Sequence, residues 1–468
     1  EACFEIYKKM RPGEPLVLEN AKRLVFDLFS NPRRYTLGKV GRYKLNKKLV
    51  LNSESLVLTL DDVVATIKYL IGLQNGKGRV DDIDHLANRR IRRVGELVSQ
   101  IAVREGFLRL ERAIKEKMSL VSTEDLVSPS ALVNARPVVS AVNEFFRSSQ
   151  LSAILEQTNP LSEIDNLRRL TVMGPGGISR ERASFSIRDI NSSQYGRIDP
   201  VRSPEGPNIG LVTYLALYAR VNEFGFLESP YRKLIKKGEE IYVSDEIVYL
   251  SPDDEENYHI TNCDVKIDAK GKITDEWVSM RHQAGFKEGP ATLLDYMDIV
   301  PRQLVGTSAS LIPFLSNDAA NRALMGTHMQ CQAVPLLKPA SPVVGTGMEK
   351  AIAAAMGWCV YAKNPGVVTY VDAQKIVVNK NETYHLTKFK RTSQSTCYNQ
   401  KPAVSVGQQV KAGDLLVDGP ACEDGELALG QNLVIAYHSY QGLGYEDAIV
   451  ISDRVVREDL LTSIHIEE

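Results

Sequence analysis

Apolar side chains in the first part of the chain recur at helical rather than strand spacing. Leu60, Val63, Val64, Ile67, Leu70 and Ile71 fall on one face of a helix that Thr59 is placed to cap and that Asn75-Gly76 ends. The segment from Glu1 to about Leu86 reads as mostly helical. The same period predicts a long amphipathic helix over roughly Val94 to Met118. A second helical region follows over 131–151, entered through Pro137, whose fixed φ suits a first turn. Phe145 and Phe146 are expected in the core.

From 212 to 300 the pattern changes. Short apolar runs alternate with acidic turns such as Ser251-Pro252-Asp253-Asp254, which predicts a β-rich module. Over 304–337 helical spacing returns, with Ser316 or Asn317 as the cap of a helix running to about Met329 and Arg322 on it. Residues 364–420 are strand-rich, and VSVGQQVKAGDLL at 404–416 has the turn pattern of a barrel-sandwich hybrid. The expected fold class is α+β and multidomain. It has a helical N-terminal part, a β-rich middle module and a barrel-like C-terminal part, either a barrel-sandwich hybrid or a partial double-psi β-barrel.

Composition narrows the function classes. A chain of 468 residues is expected to hold three or more core-forming units. Its net charge is -1, so any nucleic-acid surface must be a local patch. Cys3, Cys263, Cys331, Cys359, Cys397 and Cys422 are far apart and form no CxxC pair. That argues against a zinc site or a disulfide scaffold and suits a reducing compartment. No apolar run approaches the ~20 residues of a membrane helix, and no signal peptide is evident. The start at Glu1 without methionine and the end in SIHIEE read as an internal part of a longer protein.

The densest chemistry lies between Leu167 and Leu211. Its cations are Arg168, Arg169, Arg180, Arg182, Arg188, Arg197 and Arg202, with no lysine among them. Arginine offers a rigid fork of donors to phosphate or carboxylate. Between the arginines sit Gly174-Pro175-Gly176-Gly177 and Pro204-Glu205-Gly206-Pro207, residues that shape a turn and let backbone approach a ligand. A shaped, cationic loop suits a nucleic-acid backbone. A surface loop whose arginines pair with Glu181, Asp189, Asp199 and Glu205 is the plain alternative.

Two other groups stand out. GKGRVDDIDHLANRRIRRVGEL carries Asp81, Asp82 and Asp84, which match no standard metal spacing, then His85 and the basic cluster Arg89, Arg90, Arg92 and Arg93. QGLGYEDAIVISDRVV places Glu446 and Asp447 after a glycine-rich turn. Adjacent carboxylates on a strand point to opposite faces, so they share a ligand only if the backbone turns. Gly442 and Gly444 allow such a turn.

GPGGISRERASF, YGRIDPVRSPEGPNIGL and NEFGFLESPYRK resemble the fork region of the β subunit of multisubunit, DNA-dependent RNA polymerase of bacterial type. MRPGEP at 10–15 and VDDIDHLANRRIR extend the resemblance, which covers essentially the whole chain. It implies the end of a lobe-like domain over 1–86, a protrusion-like helical segment over 87–150 and a fork over 151–206. An external module over 207–305 and a hybrid-binding, active-centre region over 306–468 complete the division.

The implied activity is nucleotidyl transfer within a complex of β′, an α dimer, ω and σ, acting on DNA template, RNA and nucleoside triphosphates, in the cytoplasm and nucleoid or a plastid stroma. The resemblance puts Arg322 near the incoming phosphates and Glu446 and Asp447 near a second magnesium ion. It puts Arg89, Arg90, Arg92, Arg168, Arg169, Arg180, Arg182, Glu205 and Asn208 against nucleic acid. The primary Mg2+ would sit on an aspartate loop of β′. No NADFDGD-like loop occurs here, so this chain is expected to be inactive alone.

The chain also departs from the family pattern. Relatives usually read MQRQAVP where this chain has Cys331, so a cation near the active centre is lost there and the family's contact is expected to be missing or moved. His328 stands for the usual asparagine, and Gly444 for another. The rifamycin pocket of sensitive relatives matches Gln150 and Arg169. It differs at Ala153 (glutamine there), Ile154 (phenylalanine), Glu156 (aspartate), Asn166 (histidine) and Thr171 (serine). That implies intrinsic insensitivity. Two other classes fit the residues less well. A lipoyl-type carrier needs a lysine at a hairpin tip, whereas Lys411 lies within the turn pattern. A phosphate-loop enzyme using GPGG lacks the following Lys-Ser/Thr.

Overall fold

A computed structural model describes all residues except Glu1, Arg33, Arg79, 121–127, Glu239 and Glu468. The chain divides into two compact units. The first comprises Glu1–Ile83, Asn88–Arg90 and Val221–Phe226. It is built on the helices Ala2–Met10, Leu18–Ser30, Gly38–Leu49 and Leu60–Gln74.

Thr59 caps the last of these as its sequence predicts. Its hydroxyl accepts from Asp62 N–H at 3.3 Å, and Asp62 accepts from Thr59 N–H at 2.8 Å. Asp62 is also gripped by both terminal nitrogens of buried Arg42, at 2.8 and 2.9 Å. The Arg42 guanidinium holds the Asp62 carboxyl down to about 2. One carboxylate thus caps a helix and ties it to its neighbour. The apolar stripe of Leu60–Gln74 is not buried in this unit: Leu60, Val64 and Leu70 are all more than half exposed.

The second unit comprises Asp84–Ala87, Ile91–Arg220 and Leu227–Glu468. The long amphipathic segment forms as Val94–Leu97 and Arg104–Leu120, joined by a wider π-turn at Val98–Val103. It packs on Arg136–Ser148, with Pro137 in the first turn. Gly106 makes the close approach: a Cβ there would stand 2.9 Å from Val138 Cα. Phe145 is buried with Leu97 and Ala102, but Phe146 is 53% exposed. Neighbours on a helix lie ~100° apart, so only one of the pair can face the seam.

The middle module is β-rich as expected. Leu227–Lys237 pairs antiparallel with Glu240–Leu250 and with Tyr296–Asp298, and Trp277–His282 pairs with Gly285–Pro290. Leu234, Ile241, Val278, Met280, Leu294 and Met297 fill its core. The helix carrying Arg322 runs Ala320–Gln332 and has no side-chain cap. Ser316 and Asn317, expected to cap it, lie instead in the preceding turn Leu315–Asn317. The left-handed Phe314 (φ 57°) starts that turn, which uses up the polar pair before the helix begins.

The C-terminal strands form two larger open antiparallel sheets and two two-stranded pairs, 390–391 with 397–398 and 422–423 with 426–427. Of the larger sheets, one orders 382–385, 375–378, 366–371 and 409–410; the other orders 360–361, 415–418 and 401–402. Val368, Ile376, Val378, Val410, Leu416 and Val417 make one shared core. The class is therefore mixed α+β, and among the described residues no closed barrel forms.

Candidate nucleic-acid interface

The arginine-rich stretch is a loop closed at its base by a two-stranded ladder. Arg169–Thr171 pairs antiparallel with Val212–Tyr214, so the chain between them projects from one fixed point. Its first turn is held by Gly177 N–H to Gly174 O and Ile178 N–H to Val172 O, both 2.9 Å. Gly174 has φ +105°, and a Cβ on Gly177 would lie 2.3 Å from Val172 O, so the turn requires glycine. Arg92 donates to the Pro175 carbonyl and braces the turn from behind.

The seven arginines separate into three kinds. Arg197 and Arg202 are buried. Arg197 pairs with Glu255 at 2.5 Å and donates to the Leu227 and Leu250 carbonyls. Arg202 pairs with Asp165 at 3.3 Å. Arg168 and Arg188 are half-buried staples. Arg168 donates to Ala216 O at 2.5 Å, and burial pushes its guanidinium below the usual range. Arg188 donates to Pro207 O and Ile209 O at 2.8 and 2.9 Å. Arg169, Arg180 and Arg182 are exposed, and among the described residues no side-chain hydrogen bond or ion pair engages them.

Arg168, expected on nucleic acid, spends Nη2 on the carbonyls of Ala216 and Leu217, where the chain returns. The surface ion pairs of the plain alternative do not form either. Arg197 and Arg202 are paired, but to Glu255 and Asp165.

The remaining expected residues fall as follows. Glu205 is exposed, while half-buried Asn208 holds a buried Oδ1 without a partner. Arg92 is half-buried in the second unit; Arg89 and Arg90 are half-buried in the first. Gln150, Ala153, Ile154, Glu156 and Thr171 are exposed and Asn166 is half-buried; Thr171 lies on the ladder strand that carries Arg169. Arg322 is exposed near the helix start, with Nη1 at 3.4 Å from Met325 Sδ.

Glu446 and Asp447 are exposed, and both adopt left-handed backbone (φ 55° and 61°), so the turn expected between the carboxylates exists. Among the described residues no hydrogen bond or ion pair links Arg322, Arg180 or Arg182 to this acidic pair. No group of three metal-ligating side chains occurs among the described residues. Two exposed carboxylates do fit magnesium shared with waters, phosphate and other ligands.

One cluster was not legible beforehand. Asp165 accepts from the Thr307 and Ser308 hydroxyls and from the Cys331 thiol at 3.4 Å, and pairs with Arg202. Burial, with Asp165 beside it, pushes the Cys331 thiol up to about 12, so it stays protonated. No cation stands at 331 itself, but one stands beside it: Arg202 Nη2 is 3.4 Å from Cys331 Sγ. Burial and this guanidinium also push His328 below its usual range. No sequence spacing links 165, 202, 307 and 331.

Four family descriptions match this chain in order. They are RNA polymerase Rpb2, domain 2 (1–92) and domain 3 (153–221), the RNA polymerase beta subunit external 1 domain (231–300), and RNA polymerase Rpb2, domain 6 (361–468). The whole chain aligns with the DNA-directed RNA polymerase subunit beta of Sorangium cellulosum and of Syntrophomonas wolfei, each at 49% identity, and with that of Myxococcus xanthus at 50%. The chain belongs to the RNA polymerase β-subunit family. It spans 35%, 42% and 34% of the length of those three β subunits. The glycine-bound turn and the exposed arginines lie within or beside the Rpb2 domain 3 match. Glu446 and Asp447 lie within the domain 6 match.

Proposed function

We propose that this chain is part of an RNA polymerase β subunit that helps form the active centre and hold the RNA–DNA hybrid and incoming nucleotide. The observation that carries the reading is the exposed trio Arg169, Arg180 and Arg182 beside a glycine-shaped turn, within a chain alike along its whole length to polymerase β subunits. Those guanidiniums fork onto nucleic-acid phosphates, with Asn208 Oδ1 as an acceptor for a nearby donor. Arg322 neutralises triphosphate charge as it shifts during transfer.

The partners are β′, an α dimer, ω and σ, with DNA, RNA and nucleoside triphosphates. Magnesium, when bound, polarises the phosphates and activates the RNA 3′ hydroxyl. Its primary ligands would belong to β′; Glu446 and Asp447 would help hold the triphosphate-side ion together with waters and phosphate oxygens. The divisions at 1–86, 87–150, 151–206, 207–305 and 306–468 follow the same reading, with the open C-terminal sheets as its barrel-sandwich part. The complex works in the cytoplasm and nucleoid or in a plastid stroma.

The test is assembly of the full subunit with its partners and measurement of template-directed RNA synthesis against magnesium concentration. Glu446→Ala and Asp447→Ala are expected to raise the magnesium needed for half-maximal rate. An unchanged requirement refutes their role.

A further inference from the structure

Cys331 lies between two charged groups. Its sulfur is 3.4 Å from Arg202 Nη2 and 3.4 Å from Asp165 Oδ2. All three side chains are buried. They come from three separate segments: Asp165 from the helix Pro160–Leu167, Arg202 from the loop and Cys331 from the helix Ala320–Gln332. Arg202 Nη1 also reaches Thr327 Oγ1 at 3.3 Å, one turn before Cys331, and its guanidinium centre lies 5.0 Å from the Tyr214 ring centroid. Two segments are thereby fastened to the helix that carries Arg322.

Arg202 is the guanidinium in ion-pair distance of Asp165 among the described residues. Asp165 already accepts from two hydroxyls and a thiol, and Arg202 neutralises it. A buried carboxylate without a cation is costly, and a second buried cation against the same carboxylate is costly too. An arginine at 331 would start from the point now touching both groups and would compete with Arg202 for Asp165. Position 331 is where the MQRQAVP pattern carries arginine.

We propose that Arg202 is a positioning residue that supplies, from the loop, the buried cation between Asp165 and the helix carrying Cys331, a place an arginine at 331 could fill from the helix instead. The small, neutral thiol at 331 leaves it room. Arg202 thereby sets the helix bearing Arg322 against Pro160–Leu167. The consequence for the nucleotide rests on the polymerase reading above; the exchange of cations does not.

The test uses the full subunit and its assembled polymerase. Arg202→Ala is expected to lower the melting temperature and to raise the nucleotide KM more than it lowers kcat. Cys331→Arg alone is expected to lower the melting temperature, having two cations at one carboxylate. The double variant R202A/C331R is expected to recover both the melting temperature and the KM, the latter to within about twofold of the starting protein. A double variant that melts no higher than R202A overturns the exchange. An R202A enzyme with unchanged nucleotide KM overturns the positioning role. If Arg322→Ala itself leaves the nucleotide KM unchanged, the polymerase reading of Arg322 fails instead, while the melting comparison still decides the exchange.

Discussion

Arg197 Nη1 lies 2.5 Å from Glu255 Oε2, and the Arg197 side chain is fully buried. Arg281 reaches the same Glu255 and also Asp298, at 3.3 and 2.7 Å. The loop beyond the exposed arginines is thereby anchored in the β-rich module through alternating charges. Removing Arg197 leaves Glu255 to Arg281 alone and takes the guanidinium donor from the Leu227 and Leu250 carbonyls. Arg197→Ala is therefore expected to cost ~1–3 kcal/mol of stability, read by denaturant unfolding. A change within the error of measurement contradicts the anchoring role.

The Arg42–Asp62 pair predicts an acid-sensitive step. A carboxyl depressed in the fold stabilises it while ionised. That contribution is complete above the ordinary value of 3.8 and is lost as pH falls through about 2. Melting of the first unit, followed in the whole chain, is expected to weaken from about pH 4 to about pH 2. Asp62→Asn should abolish that step and lower stability at neutral pH, because buried Arg42 loses its partner. A variant with the same acid profile as the parent would contradict the assignment.

The division among the arginines predicts two phenotypes. Arg180→Ala and Arg182→Ala should weaken nucleic-acid binding across sequences and reduce the salt slope by ~1 each, with unchanged melting. Arg168→Ala should instead lower stability, because two backbone carbonyls lose their donor. Salt titrations of hybrid binding by the assembled enzyme, beside melting curves, separate the two. Equal behaviour of all three variants would refute the division.

The departures at Ala153, Ile154, Glu156, Asn166 and Thr171 predict rifamycin insensitivity. Several polar or aromatic contacts are replaced around Gln150 and Arg169, and ~1 kcal/mol each compounds to orders of magnitude in affinity. The assembled enzyme should resist submicromolar drug. Changing the five together to Gln, Phe, Asp, His and Ser should gain at least ~10-fold in sensitivity. Submicromolar inhibition of the unaltered enzyme contradicts this.

Local pattern made some features legible. The Thr59 cap, the helical run after Val94 and the alternating strands of the middle module follow from spacing and turn chemistry. The turn at Glu446 and Asp447 followed from nearby glycines. The fate of individual arginines was not legible. Arg182 and Arg197 sit in one motif with one chemistry, yet Arg197 finds Glu255 far along the chain and Arg182 faces solvent. The cation beside Cys331 was hidden for the same reason, since Arg202 lies 129 positions away. Ser316 and Asn317 looked like caps until Phe314 turned the chain early.

The proposed role of this chain, lending charge to a nucleotidyl-transfer centre completed by a partner, is tested most directly at Arg322. Single-nucleotide addition by the assembled enzyme should be compared for the parent and Arg322→Ala, with melting as the control. A fall in kcat/KM of ~10²-fold or more is expected, with the melting temperature unchanged. A variant that adds nucleotides as well as the parent would contradict it.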